Sequence, residues 1–181
     1  MKYVHKMWSN RILVQAVGIP LKHALALYGL SLCVTGRVNM KTGTLALLLW
    51  PLSGLGVTAG AHRYWTHRSY KATSVLETLL MLMFSIADQG PIEGWALTHA
   101  MHHVASDTYW DPHDRSKGFW HAHIGWLFAA RKFQLSSVEY RKVVNHLSPV
   151  VHFHDRNCLW WDPLWSLGFP ALVASFWSDA W

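Results

Sequence analysis

An uncharged run of twenty residues, 42–61, places the strongest constraint on the fold of this chain. At a rise of about 1.5 Å per residue, a helix of this length matches a hydrocarbon core roughly 30 Å thick. Only 14% of the residues are charged, against about 25% in ordinary soluble domains. The twelve tryptophans agree with this, because amphipathic rings collect at membrane interfaces. The run therefore predicts a transmembrane helix.

A second apolar segment, 20–36, lies just before this run and is interrupted near its start by Lys22 and His23. It predicts another span. Because only a few residues separate the two, they are expected to form a helical hairpin whose outer ends share one side of the membrane. Cytosolic loops carry an excess of Lys and Arg. The basic N-terminus and the basic residues that follow the second span then lie in the cytosol: Arg63, Arg68 and Lys71.

Two groups of histidines stand beside these apolar segments. The first contains His62 and His67, and the second contains His99, His102 and His103. Helix positions i, i+3 and i+4 share one face, so the second group can converge on one small volume. A spacing of five, as in the first group, suits a helix end or a wider turn. Since imidazole binds Zn, Cu, Fe and Ni, the pattern predicts a metal site without choosing the metal.

The segment 74–95 tests this topology. Its apolar centre is bracketed by Glu77 and Asp88, which leaves too little to span a bilayer. If it crossed, the two histidine groups would lie on opposite faces and could not share a metal. A segment that dips into the membrane or lies at its interface satisfies both constraints, and an interfacial helix is expected.

The remainder of the chain is polar and then apolar again. Residues 96–157 predict a helical, histidine-rich cytosolic lobe, and 160–178 predict a partial third span. No repeat or linker divides the sequence, which indicates a single domain over 1–181. The predicted fold class is an all-α membrane protein with a transmembrane hairpin, an interfacial helix and this lobe.

The net charge, the cysteines and the remaining histidines say less about function. The net charge of +6 is scattered along the chain, which favours a surface facing anionic lipid over one that binds nucleic acid. Cys33 and Cys158 fit no metal or redox motif, so a reducing compartment is expected. Six further histidines are interpreted as solvated side chains: His5, His23, His121, His146, His152 and His154.

The residues around the two histidine groups carry a resemblance. The segment 56–72, GVTAGAHRYWTHRSYKA, and the later strings HAMHH (99–103), DPH (111–113), GFW (118–120) and AHIGWL (122–127) occur in one ordered series. This series closely resembles the first two histidine boxes of the membrane acyl-CoA Δ9 (stearoyl-CoA) desaturases. It runs from about Leu52 to Lys132, and its specificity comes from the order of the strings.

The resemblance implies an oxidoreductase of unsaturated fatty acid biosynthesis. It would use O₂ and a non-haem di-iron centre to introduce a cis double bond, at Δ9 by family precedent, into a saturated fatty acyl-CoA. The five histidines of the two groups look like iron ligands. Cytochrome b5 and its reductase would be separate electron donors. The family also implies the endoplasmic reticulum, with the histidine lobe facing the cytosol.

Further site residues follow from the same resemblance. Gln89 and Trp95 match positions that shape the bend of the acyl tunnel, although ordinary interfacial packing also explains Trp95. Arg131 and Lys132 resemble the basic pair that meets the CoA headgroup, and a solvated basic face is the alternative. The two aspartates that follow the second box are expected to orient histidines or to cap helices: Asp107 and Asp111.

Departures from the family pattern leave alternatives open. Leu97, Thr98 and Ala100 replace residues that are commonly charged in the family. No segment of the form H-N-x-H-H occurs up to Trp181, and the chain is therefore expected to be truncated before the third histidine box. One alternative is a catalytically inactive, desaturase-like membrane protein. Another is a different histidine-box oxygenase such as a hydroxylase.

Overall fold

Helices and their connections make up the part of the protein that the computed structural model describes, residues 2–129, 135–145 and 147–177. No strand occurs among these residues, which confirms the predicted all-α membrane class. The α-helices are α1 (Lys2–Val34), α2 (Met40–Leu55), α3 (Ser74–Ala87), α4 (Ile92–Ala105), α5 (Phe119–His123), α6 (Ser137–Val144), α7 (Pro149–Pro163) and α8 (Phe169–Ser175). Two π-helical segments, Gly56–Thr66 and Leu164–Gly168, continue α2 and α7.

Two of the described helices are long and apolar enough to cross a membrane. One is Gln15–Val34 within α1, and the other is Met40–Thr66, which joins α2 to the first π-helical segment. They contain most of the predicted span 20–36 and all of the predicted span 42–61. Pro20 lies inside α1 without ending it. The hairpin arrangement and the third span at 160–178 stay predictions.

The predicted interfacial segment is built from two helices instead of one. The side chain of Thr73 caps the N-terminus of α3, and Asp88, with φ of 49°, follows its last residue. Gly90, with φ of 78°, completes a sharp break before α4. The axes of the two helices differ by 82°, and by length and composition the pair suits a broken span or a re-entrant loop.

The described residues cluster into two compact units by their backbone contacts. One unit combines residues 1–37 with 101–134, and the other combines 38–100 with 135–181. The division falls within α4, which is itself unbroken. The single desaturase domain over 1–181 stays a prediction.

In the second unit, α3 is the central helix. It packs against α2, the first π-helical segment and α7. Four large side chains of this unit are completely buried: Trp65 of the first π-helical segment, Phe84 of α3, Ile92 of α4 and Val151 of α7. α7 begins at Ser148, whose hydroxyl accepts the N–H of Val151 and donates to Glu77 of α3. α3 thus connects the segment that carries the first histidine group with α7.

Candidate metal centre

The first histidine group lies at the C-terminal end of the π-helical segment Gly56–Thr66, with His62 inside the segment and His67 directly after it. A π-helix bonds each N–H to the carbonyl five residues earlier, and the N–H of His67 donates to the carbonyl of His62 at 3.1 Å. This winding brings residues five apart to one face. The two imidazole rings consequently lie with their centroids 4.7 Å apart. The spacing that suggested a wider turn is therefore a π-turn.

The second group lies on α4, as predicted. The ring of His99 is 4.6 Å from that of His62 and 5.4 Å from that of His67, between centroids. α4 continues unbroken, and His103 follows His99 by one helical turn. One ring nitrogen from each of these four histidines lies within 4.8 Å of the others. Four of the five predicted ligands therefore converge.

The donor chemistry of this four-histidine cluster fits a transition-metal ion. Imidazole nitrogens bind such ions at about 2.0–2.1 Å, so two donors on opposite sides of one ion are about 4.2 Å apart. The nitrogens lie within 4.8 Å of one another, so the widest pair needs a contraction of about 0.6 Å to meet that distance. The histidines are half-buried or exposed, which leaves the centre accessible from outside.

His102, the fifth predicted ligand, faces a carboxylate. Its Nδ1 lies 2.8 Å from Oδ1 of Asp111, an arrangement that favours a proton on Nδ1 and leaves Nε2 as the acceptor. Backbone N–H groups of Asp107 and His113 donate to the same carboxylate at 2.9 and 2.8 Å. Burial alone would raise the pKa of Asp111, but these hydrogen bonds lower it below its ordinary value.

Asp111 is therefore a hydrogen-bond partner of His102. The carboxylate of Asp107 lies 3.5 Å from the guanidinium of Arg115, and it is the backbone N–H of Asp107 that reaches the Asp111 carboxylate. Metal ligation by His102, and the influence of either aspartate on a metal, stay predictions.

The predicted tunnel residues contact each other beside His99. The indole N–H of Trp95 donates to Oε1 of Gln89 at 2.7 Å, and the Trp95 ring lies 4.9 Å from the His99 ring. Gln89 also lines an open groove of about 350 Å³, together with Ser53, Gly54, Val57, Thr58 and Ala87. Arg131 and Lys132, predicted for the CoA headgroup, lie outside the described residues.

Glu77 supports the first histidine group, a role that the sequence did not indicate. It is almost fully buried on α3 and accepts the indole N–H of Trp65 at 3.1 Å. Its Oε1 also accepts the hydroxyl of Ser148 at 2.7 Å. Trp65 stands between His62 and His67 in the chain, so this carboxylate helps to fix the π-helical segment.

The interpretation of His154 as a solvated side chain is wrong. It is completely buried on α7, with Nδ1 3.0 Å from Asp155 and Nε2 2.9 Å from Asp162. A pattern in the sequence could have found it. Helix positions i, i+3, i+7 and i+11 share one face, and this face of α7 is the buried one: Val151, His154, Cys158 and Asp162. His152 is exposed, as expected, and His146 lies outside the described residues.

Known desaturases are similar to most of this chain. It is 35% identical over 164 residues to an acyl-CoA Δ11 desaturase of Trichoplusia ni, covering 88% of this chain and 46% of that protein. It is 42% identical over 125 residues to an acyl-CoA Δ9 desaturase of Acheta domesticus, covering 69% and 33%. A probable acyl-CoA desaturase of Schizosaccharomyces pombe is 35% identical over 178 residues, covering 97% and 35%.

No family-level sequence profile matches the chain. The chain spans less than half the length of each of these three relatives. All three relatives are nevertheless named as acyl-CoA desaturases, and their similarity covers between about two thirds and nearly all of this chain. Its helices include two that are suited to crossing a membrane, and four of its histidines converge as metal ligands would. The chain belongs to the membrane acyl-CoA desaturase family.

Proposed function

We propose that the protein carrying this chain desaturates fatty acyl-CoA and places a cis double bond at C9. The observation that carries the proposal is the convergence of His62, His67, His99 and His103 at the end of an apolar helix. In the reaction, two hydrogens leave adjacent carbons of the acyl chain. O₂ is reduced to two molecules of water, with two electrons from a donor and two further protons.

Iron is the proposed metal, because acyl desaturation requires an oxidant that no side chain supplies. Bound iron would supply that oxidising power together with O₂. The residues of this chain would hold and orient it. The four-histidine cluster provides neutral nitrogen donors, and His102, held by Asp111, provides a fifth. A di-iron centre needs more donors than these five histidines supply.

The acyl chain is proposed to follow the groove that Gln89 lines. Five of the six lining residues are small or apolar, and the lining contains no charged side chain. Gln89 is bonded to Trp95, whose ring lies beside that of His99. A substrate bend at Gln89 and Trp95 would therefore direct the chain toward the histidines. Arg131 and Lys132 are proposed to meet the phosphates of CoA.

The proposed setting is the endoplasmic reticulum, with the histidines on the cytosolic side. Arg63 lies at the C-terminal end of the second candidate span, and Arg68 and Lys71 follow it. A cytosolic position agrees with the charge of these residues. Electrons are proposed to come from separate cytochrome b5 and its reductase. No role in nucleic-acid binding is proposed.

Expression of this protein in a host strain that lacks its own acyl-CoA desaturase tests the function. We expect growth without added unsaturated fatty acid, and a new monounsaturated acyl chain with its double bond at C9. Mass spectrometry of the derivatised fatty acids locates the bond. A double bond at C11 would retain the desaturase function but overturn the proposed position. A hydroxylated product, or no new product from a protein present in the membrane fraction, would contradict desaturation.

A further inference from the structure

The N-terminus of α4 is capped by a residue from a distant part of the chain. The first N–H groups of a helix have no partner within it, and they carry partial positive charge. In α4, the N–H of Ile92 donates to Oδ1 of Asp155 at 2.7 Å, and the N–H of Glu93 donates to Oδ2 at 3.0 Å. Both oxygens of one carboxylate from α7 therefore hold the start of the helix that carries His99.

This carboxylate is itself held by a buried histidine. His154 contacts Asp155 through Nδ1 and Asp162 through Nε2, and it is completely buried. The side chain of Asp162 is 1% exposed and that of Asp155 is 15% exposed. α3 closes this site with the Phe84 ring, 5.7 Å from the His154 ring, and with the polar groups of Ser85 and Asp88, which face Asp162. We call these three residues the Asp155–His154–Asp162 bridge.

We propose that the Asp155–His154–Asp162 bridge positions the metal-ligand helix, fixing the N-terminus of α4 so that His99 and His103 meet His62 and His67. The proposal rests on the proposed metal centre and adds residues that do not touch it. α4 has only fourteen residues, and His99 lies two turns from Ile92. A tilt at the capped end is therefore carried directly to the ligand nitrogens. Loss of groups that orient metal ligands typically weakens metal binding by about 10- to 100-fold.

The positive charge on His154 contributes to the Asp155–His154–Asp162 bridge. Burial alone would lower the pKa of His154, but the hydrogen bonds and negative charges of Asp155 and Asp162 raise it to about 9. Protonated His154 donates to both carboxylates, whereas the neutral form donates to one. The folded-state pKa lies above the ordinary value of 6.5. The stabilisation is therefore complete below about pH 6.5 and is lost as the pH rises through about 9.

A pH series on metal-free protein in detergent tests this charge. We expect the thermal midpoint of the unmodified protein to fall between pH 6.5 and pH 9.5, and that fall to be mostly absent in His154→Gln. The exposed His152→Gln, on the same helix, is the matched control and should keep the original pH response. If the thermal midpoint of His154→Gln falls with pH as steeply as that of His152→Gln, His154 does not carry the proton and the bridge is not an ion pair.

Cobalt binding tests the positioning role itself. Co²⁺ is titrated into the metal-free protein in detergent, and its visible absorption reports both affinity and ligand geometry. We expect Asp155→Asn to bind Co²⁺ at least about 10-fold more weakly, with an altered spectrum. The amide cannot accept both N–H groups. Hydrogen exchange at the amides of Ile92 and Glu93 should accelerate in the same variant.

Glu139→Gln is the matched control for a general loss of helix capping. Glu139 caps α6 by accepting from Ser136, and α6 carries none of the proposed ligands. We expect this variant to keep the cobalt affinity of the unmodified protein. Asp155→Asn with unchanged affinity and spectrum would overturn the positioning role, while cobalt binding by the unmodified protein would leave the proposed metal centre intact. No cobalt binding by the unmodified protein would overturn both. If Asp155→Asn does not fold, His154→Gln takes its place in the titration with the same expected result.

Discussion

Replacing His99 with alanine is expected to abolish stable metal binding by this protein. The His99 ring lies next to the rings of both His62 and His67, and its helix also carries His103. A site of four protein ligands binds its metal with roughly 10–16 kcal/mol, or about 2.5–4 kcal/mol for each ligand. Loss of one ligand therefore weakens binding by roughly 60-fold or more. Elemental analysis after dialysis should find less than a tenth of the original metal per chain.

His152→Ala is the control for this experiment, because it removes an exposed imidazole from α7. We expect it to retain the full metal content. His99→Ala and His152→Ala should both enter the membrane fraction and elute from size exclusion as the unmodified protein does. Full metal content in a folded His99→Ala protein would exclude the four-histidine cluster as the centre. Metal lost equally from both variants would show that the ion is bound nonspecifically.

Local sequence patterns predicted much of the secondary structure. The uncharged run 42–61 lies within the candidate span Met40–Thr66, because the length and apolar character of a span are local properties. The i, i+3 and i+4 spacing placed the second histidine group on a helix, and α4 contains all three members. The five-residue spacing of His62 and His67 indicated a wider turn, which the π-helical segment provides.

Contacts between distant residues account for what the sequence did not predict. Asp155 caps α4 across more than sixty residues, so no local window contains both partners. His154 is buried by packing of α7 against α3, whose Phe84 ring lies 5.7 Å from the His154 ring. His102 shares a helix with His99 and His103, yet its orientation is set by Asp111, nine residues later. Spacing identified the candidate ligands, and tertiary packing decided which of them converge.

The second large effect is expected at Gly56, where the first π-helical segment meets α3. A β-carbon at this position would overlap the backbone nitrogen of Phe84 and the carbonyl carbon of Met83, and would lie 2.6 Å from the Phe84 α-carbon. These are backbone atoms, so no side-chain rotation can relieve the overlap. Gly56→Ala must therefore push α3 away from the π-helical segment. We expect a loss of about 3 kcal/mol in the free energy of unfolding, which corresponds to roughly 6–12 °C in the thermal midpoint.

Gly54→Ala separates this steric effect from the general effect of adding a methyl group to a helix. Gly54 lies two residues earlier in α2, and a β-carbon there would meet no atom within 4 Å. Since alanine favours helix more than glycine does, this variant should melt at or slightly above the original temperature. Equal midpoints for Gly56→Ala and Gly54→Ala would contradict the close approach of the two backbones.

The displacement of α3 in Gly56→Ala should also reach the metal ligands, because α3 holds Trp65 through Glu77 and Trp65 stands between His62 and His67. Gly56→Ala is therefore expected to bind Co²⁺ more weakly even at temperatures where it is fully folded.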